Sequence, residues 1–145
     1  ADDVTVVDLS GATPRVCCGP PRLRLPPDAA ALLRLPQDAQ ARTGLADGKL
    51  ELSVEPAPGG PPGLGAVLAL AAVGAPTAAP LSAARGLAEL MSHVYRIDWY
   101  GPQLQTRHFD RCARLSEAVA VHRLGVSRSP RGLGQAAQQV MALLG

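Results

Sequence analysis

The sequence predicts an α/β protein with a mixed β-sheet and helices concentrated towards the C-terminus. Three observations lead to this fold class. Short β-rich segments fill the first third of the chain, a long apolar segment lies near its middle, and apolar residues at three- and four-residue spacing dominate the last third, where one more strand-like segment interrupts them. Strands followed by helices, with a strand between the helices, are typical of layered α/β folds. The length of 145 residues fits a single domain, 1–145.

The first predicted elements are short strands. Val4–Asp8 is rich in β-branched residues, and a turn cluster over Ser10–Pro14 separates it from Arg15–Cys18, so a hairpin is expected. Arg22–Leu25 alternates between basic and apolar residues, which predicts another strand.

A short helix and a further strand follow. Asp28 is predicted to cap a helix over Ala29–Leu35 by accepting a backbone N–H bond. Gly44–Gly48 is expected to be a loop, and Leu50–Val54 alternates as a strand does. Pro56–Gly63 is a linker rich in proline and glycine that we expect to be mobile.

The long apolar segment is predicted to be a strand and not a membrane span. Pro56–Ala84 carries no charge, but a helix over Leu64–Ala75 would extend only about 18 Å, against the roughly 30 Å of a hydrocarbon core. Pro76 and Pro80 would then end it. Because strands covered on both faces are continuous apolar runs, Gly65–Val73 is predicted to be such a strand.

Two helices, a strand and a last helix complete the predicted order. Ser82 is expected to cap the first helix and Gln103–Ala118 to form the second, before a strand over Val119–Leu124. Ser129 and Pro130 mark the start of the last helix, since the serine can accept an unpaired N–H and proline has none to lose. The apolar stripes of the three helices are expected at Leu87, Leu90, Met91 and Val94; at Leu104, His108, Cys112, Leu115 and Val119; and at Leu133, Ala137, Val140, Met141 and Leu144.

Charge and cysteine content limit the classes of partner. The formal charge is only +2, with Lys49 as the sole lysine, so we expect no binding of nucleic acid, which needs a concentrated basic face. Cys17, Cys18 and Cys112 are an odd set without the spacing of a disulfide framework, and we expect a reduced, cytoplasmic protein.

Two motifs come close to known sites without matching them. Gly44–Leu50 resembles a phosphate-binding loop but has three residues between its glycines instead of four, and a leucine instead of a serine or threonine after the lysine. A turn before a strand explains it better. His108 and Cys112 share a helix face, as two metal ligands would, but Cys17 and Cys18 point to opposite faces of a strand, so a packed core explains these residues better.

The adjacent carboxylates Asp2 and Asp3 are the candidate site. Two carboxylates at the end of a strand are what a phosphoryl-transfer site uses, one to hold Mg²⁺ and one to accept a proton from the attacking hydroxyl. A solvated terminal pair is the structural alternative.

A family resemblance favours the catalytic interpretation of this pair. Ala1–Val6, Gly19–Leu25 and Asp28–Ala30 resemble the stretch that follows the nucleotide loop in HPr kinase-like proteins. Gly48 and Lys49 before a strand, the strand at 67–70, the helix start at 80–82, and the strand at 119–124 with its final helix follow the same order. The resemblance covers nearly the whole chain through diffuse patterning.

The resemblance implies part of a P-loop kinase fold related to phosphoenolpyruvate carboxykinase. It implies an ATP- and Mg²⁺-dependent kinase that phosphorylates a serine hydroxyl on a protein or peptide, with Asp2 and Asp3 as metal ligand and base in an undetermined order. The phosphate loop of the family has no counterpart in these 145 residues. We therefore expect the chain to be the C-terminal portion of a larger kinase, inactive by itself, and its incomplete sheet to favour a homo-oligomer.

A non-catalytic module is the alternative hypothesis. It would bind a peptide or carrier protein through the proline- and glycine-rich linker and the C-terminal helices. The acceptor of the kinase alternative stays open among an HPr-like carrier, a peptide precursor and a small hydroxyl compound, because a shared fold does not specify a substrate.

Overall fold

The computed structural model has an α/β architecture with a mixed sheet, as predicted. It describes residues 4–33, 48–55, 58–72, 77–95, 101–127 and 129–144. The chain divides into two compact units, one of residues 1–8 with 15–62 and one of residues 9–14 with 63–145. The single domain expected from the length stays a prediction.

The described part of the first unit contains two antiparallel strand pairs and one short helix. Strands β1 (Val7–Asp8) and β2 (Arg15–Val16) pair as the predicted hairpin, but each has only two residues. Strand β3 (Arg22–Leu25) pairs along its whole length with β4 (Leu50–Ser53), and Leu52 of β4 is buried.

The first helix begins earlier than its sequence suggests. Helix α1 (Pro27–Leu32) has Pro26 at its N-cap position and no side-chain cap, so the prediction that Asp28 caps it is wrong. Pro27 has the backbone angle of a helix and lacks an N–H that would need a partner, so the helix starts there. Asp28 lies in the first turn, where its negative charge interacts favourably with the positive end of the helix dipole. The predicted end at Leu35 lies outside the described residues.

The second unit contains a three-stranded mixed sheet in the order β5-β7-β6. Strand β5 (Ala66–Ala72) runs parallel to β7 (Ala120–Val126), and β6 (Ala78–Pro80) runs antiparallel to β7 on its other side. Sequence patterning misses β6 because three residues ending in proline carry no periodicity. Its pairing partner, β7, lies about forty residues further along the chain, with Ala78 opposite Leu124.

Strand β7 is the centre of the core of this unit, since it contacts β5, β6 and the three helices Ala83–Ser92, Pro102–Ala118 and Pro130–Leu144. Helix α2 (Ala83–Ser92) lies against the β7 face that presents Val121, because a Cβ on Gly86 would be 3.2 Å from the Val121 Cβ. On the opposite face Leu124 is only 3% exposed. Ser82 occupies the N-cap position of α2 as predicted, but its hydroxyl makes no cap bond.

The apolar segment forms a strand as predicted, although it is not buried on both faces. Among the described strands, β5 lies at one edge of the sheet. Its residue Leu70 stands beside buried Leu124 and yet is 68% exposed. The continuous apolar sequence of β5 is typical of a central strand covered on both faces, but β5 occupies an edge position among the described strands.

The two long helices match their predicted positions, and only one matches its predicted packing face. Helix α3 (Pro102–Ala118) buries Cys112 and Leu115, and Val119 is buried just beyond its end, as predicted, while Leu104 is exposed. Helix α4 (Pro130–Leu144) buries Gly132 and Ala136 instead. In α4 the larger predicted residues Leu133 and Met141 are exposed.

The start of α4 is confirmed in detail. The Ser129 Oγ accepts a hydrogen bond from the backbone N–H of Gly132 at 3.1 Å, which is the predicted cap. Gly132 also packs so closely on the end of β7 that a Cβ there would lie 2.4 Å from the Ser127 Cβ. The close approach explains why a small residue and not a large one faces the sheet.

No helix in the described part of the chain is long and apolar enough to cross a membrane.

Two glycines of α4 offer a matched test of this packing. Replacing Gly134 by alanine should raise the free energy of unfolding by up to about 1 kcal/mol, because alanine favours helix and nothing lies within 4 Å of the new Cβ. Replacing Gly132 by alanine should lower it by about 1–3 kcal/mol through overpacking against Ser127. Urea denaturation of both variants measures the difference, and equal stabilisation by the two alanines would contradict the close approach at Gly132.

Candidate functional site

The predicted site residues Asp2 and Asp3 lie outside the described residues. The chain is described from Val4, three residues before β1 begins at Val7. Val4 and Val6 have exposed side chains, and the Val6 carbonyl accepts a hydrogen bond from the Cys17 N–H at 2.9 Å. The hairpin therefore holds the backbone that directly follows the acidic pair.

The hairpin is tied to the proline- and glycine-rich linker. The Val16 N–H donates to the Pro62 carbonyl at 2.9 Å, and the Arg15 guanidinium donates to the Pro61 carbonyl at 3.3 Å. These bonds fix the end of the linker predicted to be mobile, whose residues 56 and 57 lie outside the described residues. Gly59 and Gly60 both have positive φ, as a tight turn requires.

The near match to a phosphate loop is only partly described. Gly48 has φ +69 with open space around its Cβ position, and Lys49 leads directly into β4. The strand that follows the predicted turn is confirmed, while residues 44–47 lie outside the described residues.

An open groove between α2 and β7 brings charged groups together. It has a volume of about 410 Å³ and is lined by Arg85, Ala88, Glu89, Ser92 and Arg123. Arg123 of β7 donates a hydrogen bond to the Glu89 carboxylate of α2. His93 Nε2 lies 4.0 Å from the other oxygen of that carboxylate. Arg123 and Val121 point to the same face of β7, so this pair lies beside the Gly86–Val121 contact.

The groove can bind an anion only weakly. Its two guanidinium groups outnumber the Glu89 carboxylate, which gives it a positive charge, but Arg123 is 56% exposed and already paired. Exposed charges are screened by water and salt, so such a pair contributes about 0–1 kcal/mol. We interpret the Arg123–Glu89 pair as an attachment of α2 to the sheet.

A second, smaller groove lies beside the C-terminal end of α3. It has a volume of about 260 Å³, and the residues that line it are Leu9, Gly11, Ala12, Pro14, Arg114, Glu117 and Ala118. Arg114 Nη2 donates to the Leu9 carbonyl at 2.9 Å, which holds the segment 9–14 on α3. The guanidinium is thus used to attach a loop.

The cysteines and histidines do not assemble into a metal site within the described residues. No group of three or more His, Cys, Asp or Glu side chains with metal-binding geometry occurs among them. All three cysteines are free, with Cys112 buried and Cys18 exposed. Burial raises the pKa of the Cys112 thiol above its ordinary value. This supports the interpretation of Cys112 as a core residue.

Sequence reasoning gave no special position to His122, which the structure singles out. Its Nδ1 is buried and has no hydrogen-bond partner among the described residues. The residue lies in the middle of β7, opposite Leu68 on one side and Pro80 on the other. Neither of these two cross-strand neighbours has a side-chain group that could form a hydrogen bond with the ring. No signal in the sequence identifies such an orphaned atom, because it depends on the pairing of distant strands.

Comparisons of the chain with models of protein families, with curated proteins and with solved structures find no significant match.

The reactivity of the cysteines tests the described burial. At pH 8 Cys112 should react with iodoacetamide at least about tenfold more slowly than Cys18, since burial blocks access and the raised pKa lowers the thiolate fraction. Peptide mapping by mass spectrometry measures each rate. In denaturant the two rates should become similar, and similar rates in the native protein would contradict the burial of Cys112.

Proposed function

We propose that this chain provides the acidic pair of an ATP-dependent HPr serine kinase-like protein, which phosphorylates a serine hydroxyl on a protein or peptide. The observation that carries the proposal is the order of segments along the sequence: the acidic pair, Gly48 and Lys49 before a strand, the strand at 67–70, the helix start at 80–82, and the strand at 119–124 followed by a final helix. Apart from β6, the described elements follow the order predicted from the sequence, from β1 to α4. The relationship to P-loop kinases and phosphoenolpyruvate carboxykinase is part of this proposal.

The chemistry of the acidic pair fits its proposed role. Carboxylate oxygens are ligands that Mg²⁺ prefers, and a second carboxylate close by can serve as a base. The serine oxygen bonds to the γ-phosphorus as the bond to the departing ADP oxygen breaks, and the serine proton passes to one of Asp2 and Asp3. The variants Asp2→Asn and Asp3→Asn distinguish the aspartate that accepts the proton from the aspartate that holds the metal ion.

The nucleotide must be held by residues other than these 145. Phosphate-binding loops wrap phosphates with backbone N–H groups and add a lysine and a hydroxyl, and the sequence Gly-x-x-x-x-Gly-Lys-Ser/Thr does not occur in the chain. We propose that this loop precedes Ala1 in the intact kinase. A coding sequence with a strand, that loop and a helix immediately upstream would support the proposal, and an unrelated domain or a stop codon there would contradict it.

The missing loop leads to a prediction for ATP binding. Titration of the 145-residue chain with ATP and Mg²⁺ in a calorimeter should give no binding tighter than about 1 mM, because exposed charges without a preformed cradle of N–H groups contribute little binding energy. Binding in the low micromolar range would contradict the assignment of nucleotide contacts to residues outside this chain.

The roles of the two aspartates can be separated in the intact protein. Asp3→Asn and Asp2→Asn should each reduce phosphoryl transfer to a serine acceptor, by about 10²–10⁴-fold for the variant that loses the base. The variant that loses the metal ligand should recover part of its activity at high Mg²⁺ concentration, whereas the base variant should not. Transfer of labelled phosphate from ATP measures both effects.

Asp110→Asn is the matched control for these variants. Asp110 is an exposed carboxylate on α3, so its loss removes the same charge without touching the acidic pair. Unchanged turnover in both Asp2→Asn and Asp3→Asn would remove the pair from the mechanism.

A non-catalytic binding module is the second candidate function, and the exposed apolar residues of the C-terminal helices favour it. Leu104 and Phe109 of α3, and Leu133 and Met141 of α4, all have exposed side chains. Exposed apolar residues of this kind can contact a peptide or a carrier protein. In that case binding of the partner would survive replacement of both aspartates, and no phosphate would be transferred.

A further inference from the structure

The two edges of the three-stranded sheet differ in how they are protected. The β6 edge is only three residues long and ends in Pro80, which has no N–H to offer another strand. The β5 edge is seven residues long, from Ala66 to Ala72. It contains no charge, no proline and no bulge in its register with β7. In the described part of the chain, no strand pairs with the outer side of β5.

Two side chains of β5, Leu70 and Ala72, are exposed as well as its backbone edge. Val67, Ala69 and Ala71 share the face on which α2 packs, because they lie beside Val121, Arg123 and Gly125. Leu68 and Leu70 lie on the other face, and Leu70 is 68% exposed. A long and apolar edge of this kind is a template for another extended strand, whose main-chain groups it can bind directly.

The sequence of β5 is nearly symmetric about Ala69. When two such strands run antiparallel with Ala69 opposite Ala69, Leu68 stands opposite Leu70 of the second copy, and Ala66 stands opposite Ala72. Val67 then faces Ala71. Large residues thus meet large ones, small residues meet small or medium ones, and no like charges oppose each other, which is what favourable cross-strand pairs require.

We propose that β5 is a self-association surface, on which β5 of a second copy pairs antiparallel about a two-fold axis at Ala69. The result is a continuous six-stranded sheet in the order β6-β7-β5-β5-β7-β6. The assembly closes at two copies, because both outer edges are then the short β6 strands with Pro80. This surface is independent of the acidic pair and of the function proposed for it.

The dimer should be weak. A single pair of seven-residue strands covers less than the roughly 1,200 Å² that specific, stable interfaces bury at a minimum. We therefore expect a reversible equilibrium that shifts towards monomer on dilution.

Sedimentation analysis of the 145-residue chain tests the proposal. Between about 5 µM and about 500 µM, a range suited to weak interfaces, the wild-type chain should pass from monomer to dimer and no further. Leu70→Lys should weaken association at least tenfold, because each lysine would face an apolar residue and approach the other lysine diagonally. Met141→Lys is the matched control, since Met141 on α4 is also 68% exposed, and it should leave the dimer unchanged.

Charge exchange tests the two-fold register itself. The two residues at position 70 are diagonal neighbours in the proposed pairing, within reach of long side chains. An equimolar mixture of Leu70→Lys and Leu70→Glu should therefore dimerise more tightly than either variant alone. Far-UV circular dichroism should be the same for all variants, since position 70 is exposed.

Hydrogen exchange identifies the occupant of the edge. The amides of β5 that point away from β7, which alternate along residues 66–72, should gain protection as the wild-type concentration rises. A chain that is monomeric at all concentrations overturns the proposal, and if its β5 amides are then fully protected, another segment of the same chain covers the edge. A dimer that persists in Leu70→Lys, or growth into larger assemblies, also overturns it.

Discussion

The parallel pairing of β5 with β7 is the contact on which the rest of the second unit depends. Seven consecutive residues of each strand lie in register, from Ala66 beside Ala120 to Ala72 beside Val126. Parallel strands cannot be joined by a tight turn, so the connection between them must leave the sheet and return. That connection contains β6, α2 and α3, and each of these elements contacts β7. One pairing thus determines where the intervening elements can lie.

Small residues set the distances around the central strand. Gly86 brings α2 to within van der Waals contact of Val121, and Gly132 brings the start of α4 against Ser127 at the end of β7. The chain has few aromatic residues, and the buried core of its described part consists of alanine, valine, leucine and one cysteine. Helices that approach the strand closely at glycines fill the space that large side chains would otherwise fill. The Arg123–Glu89 hydrogen bond adds a polar attachment at the rim of the same contact.

The proposed function and the described fold concern different parts of the molecule. The acidic pair precedes β1 in the sequence, and its adjacent carboxylates, together with a family-like order of motifs, predict a phosphoryl-transfer site there. Charged side chains of the second unit, in contrast, mostly hold elements together: Arg114 binds the Leu9 carbonyl, and Arg123 binds Glu89. Residue type alone did not distinguish arginines that attach a loop from arginines that bind a ligand, because the distinction depends on which distant carbonyl or carboxylate lies within reach.

The sequence by itself determined the kind and order of most elements: the Val7–Val16 hairpin, the strand in the long apolar run, and the start of α4 at Ser129 and Pro130. Local signals such as β-branching, turn residues and capping groups act over a few residues and need no partner. Only the tertiary structure decided that β6 exists, that Asp28 follows Pro27 into the first turn instead of capping it, and that Gly132 and Ala136 face inward on α4. It also decided that β5 lies at an edge, since periodicity records which residues are apolar but not which distant strand or helix covers them.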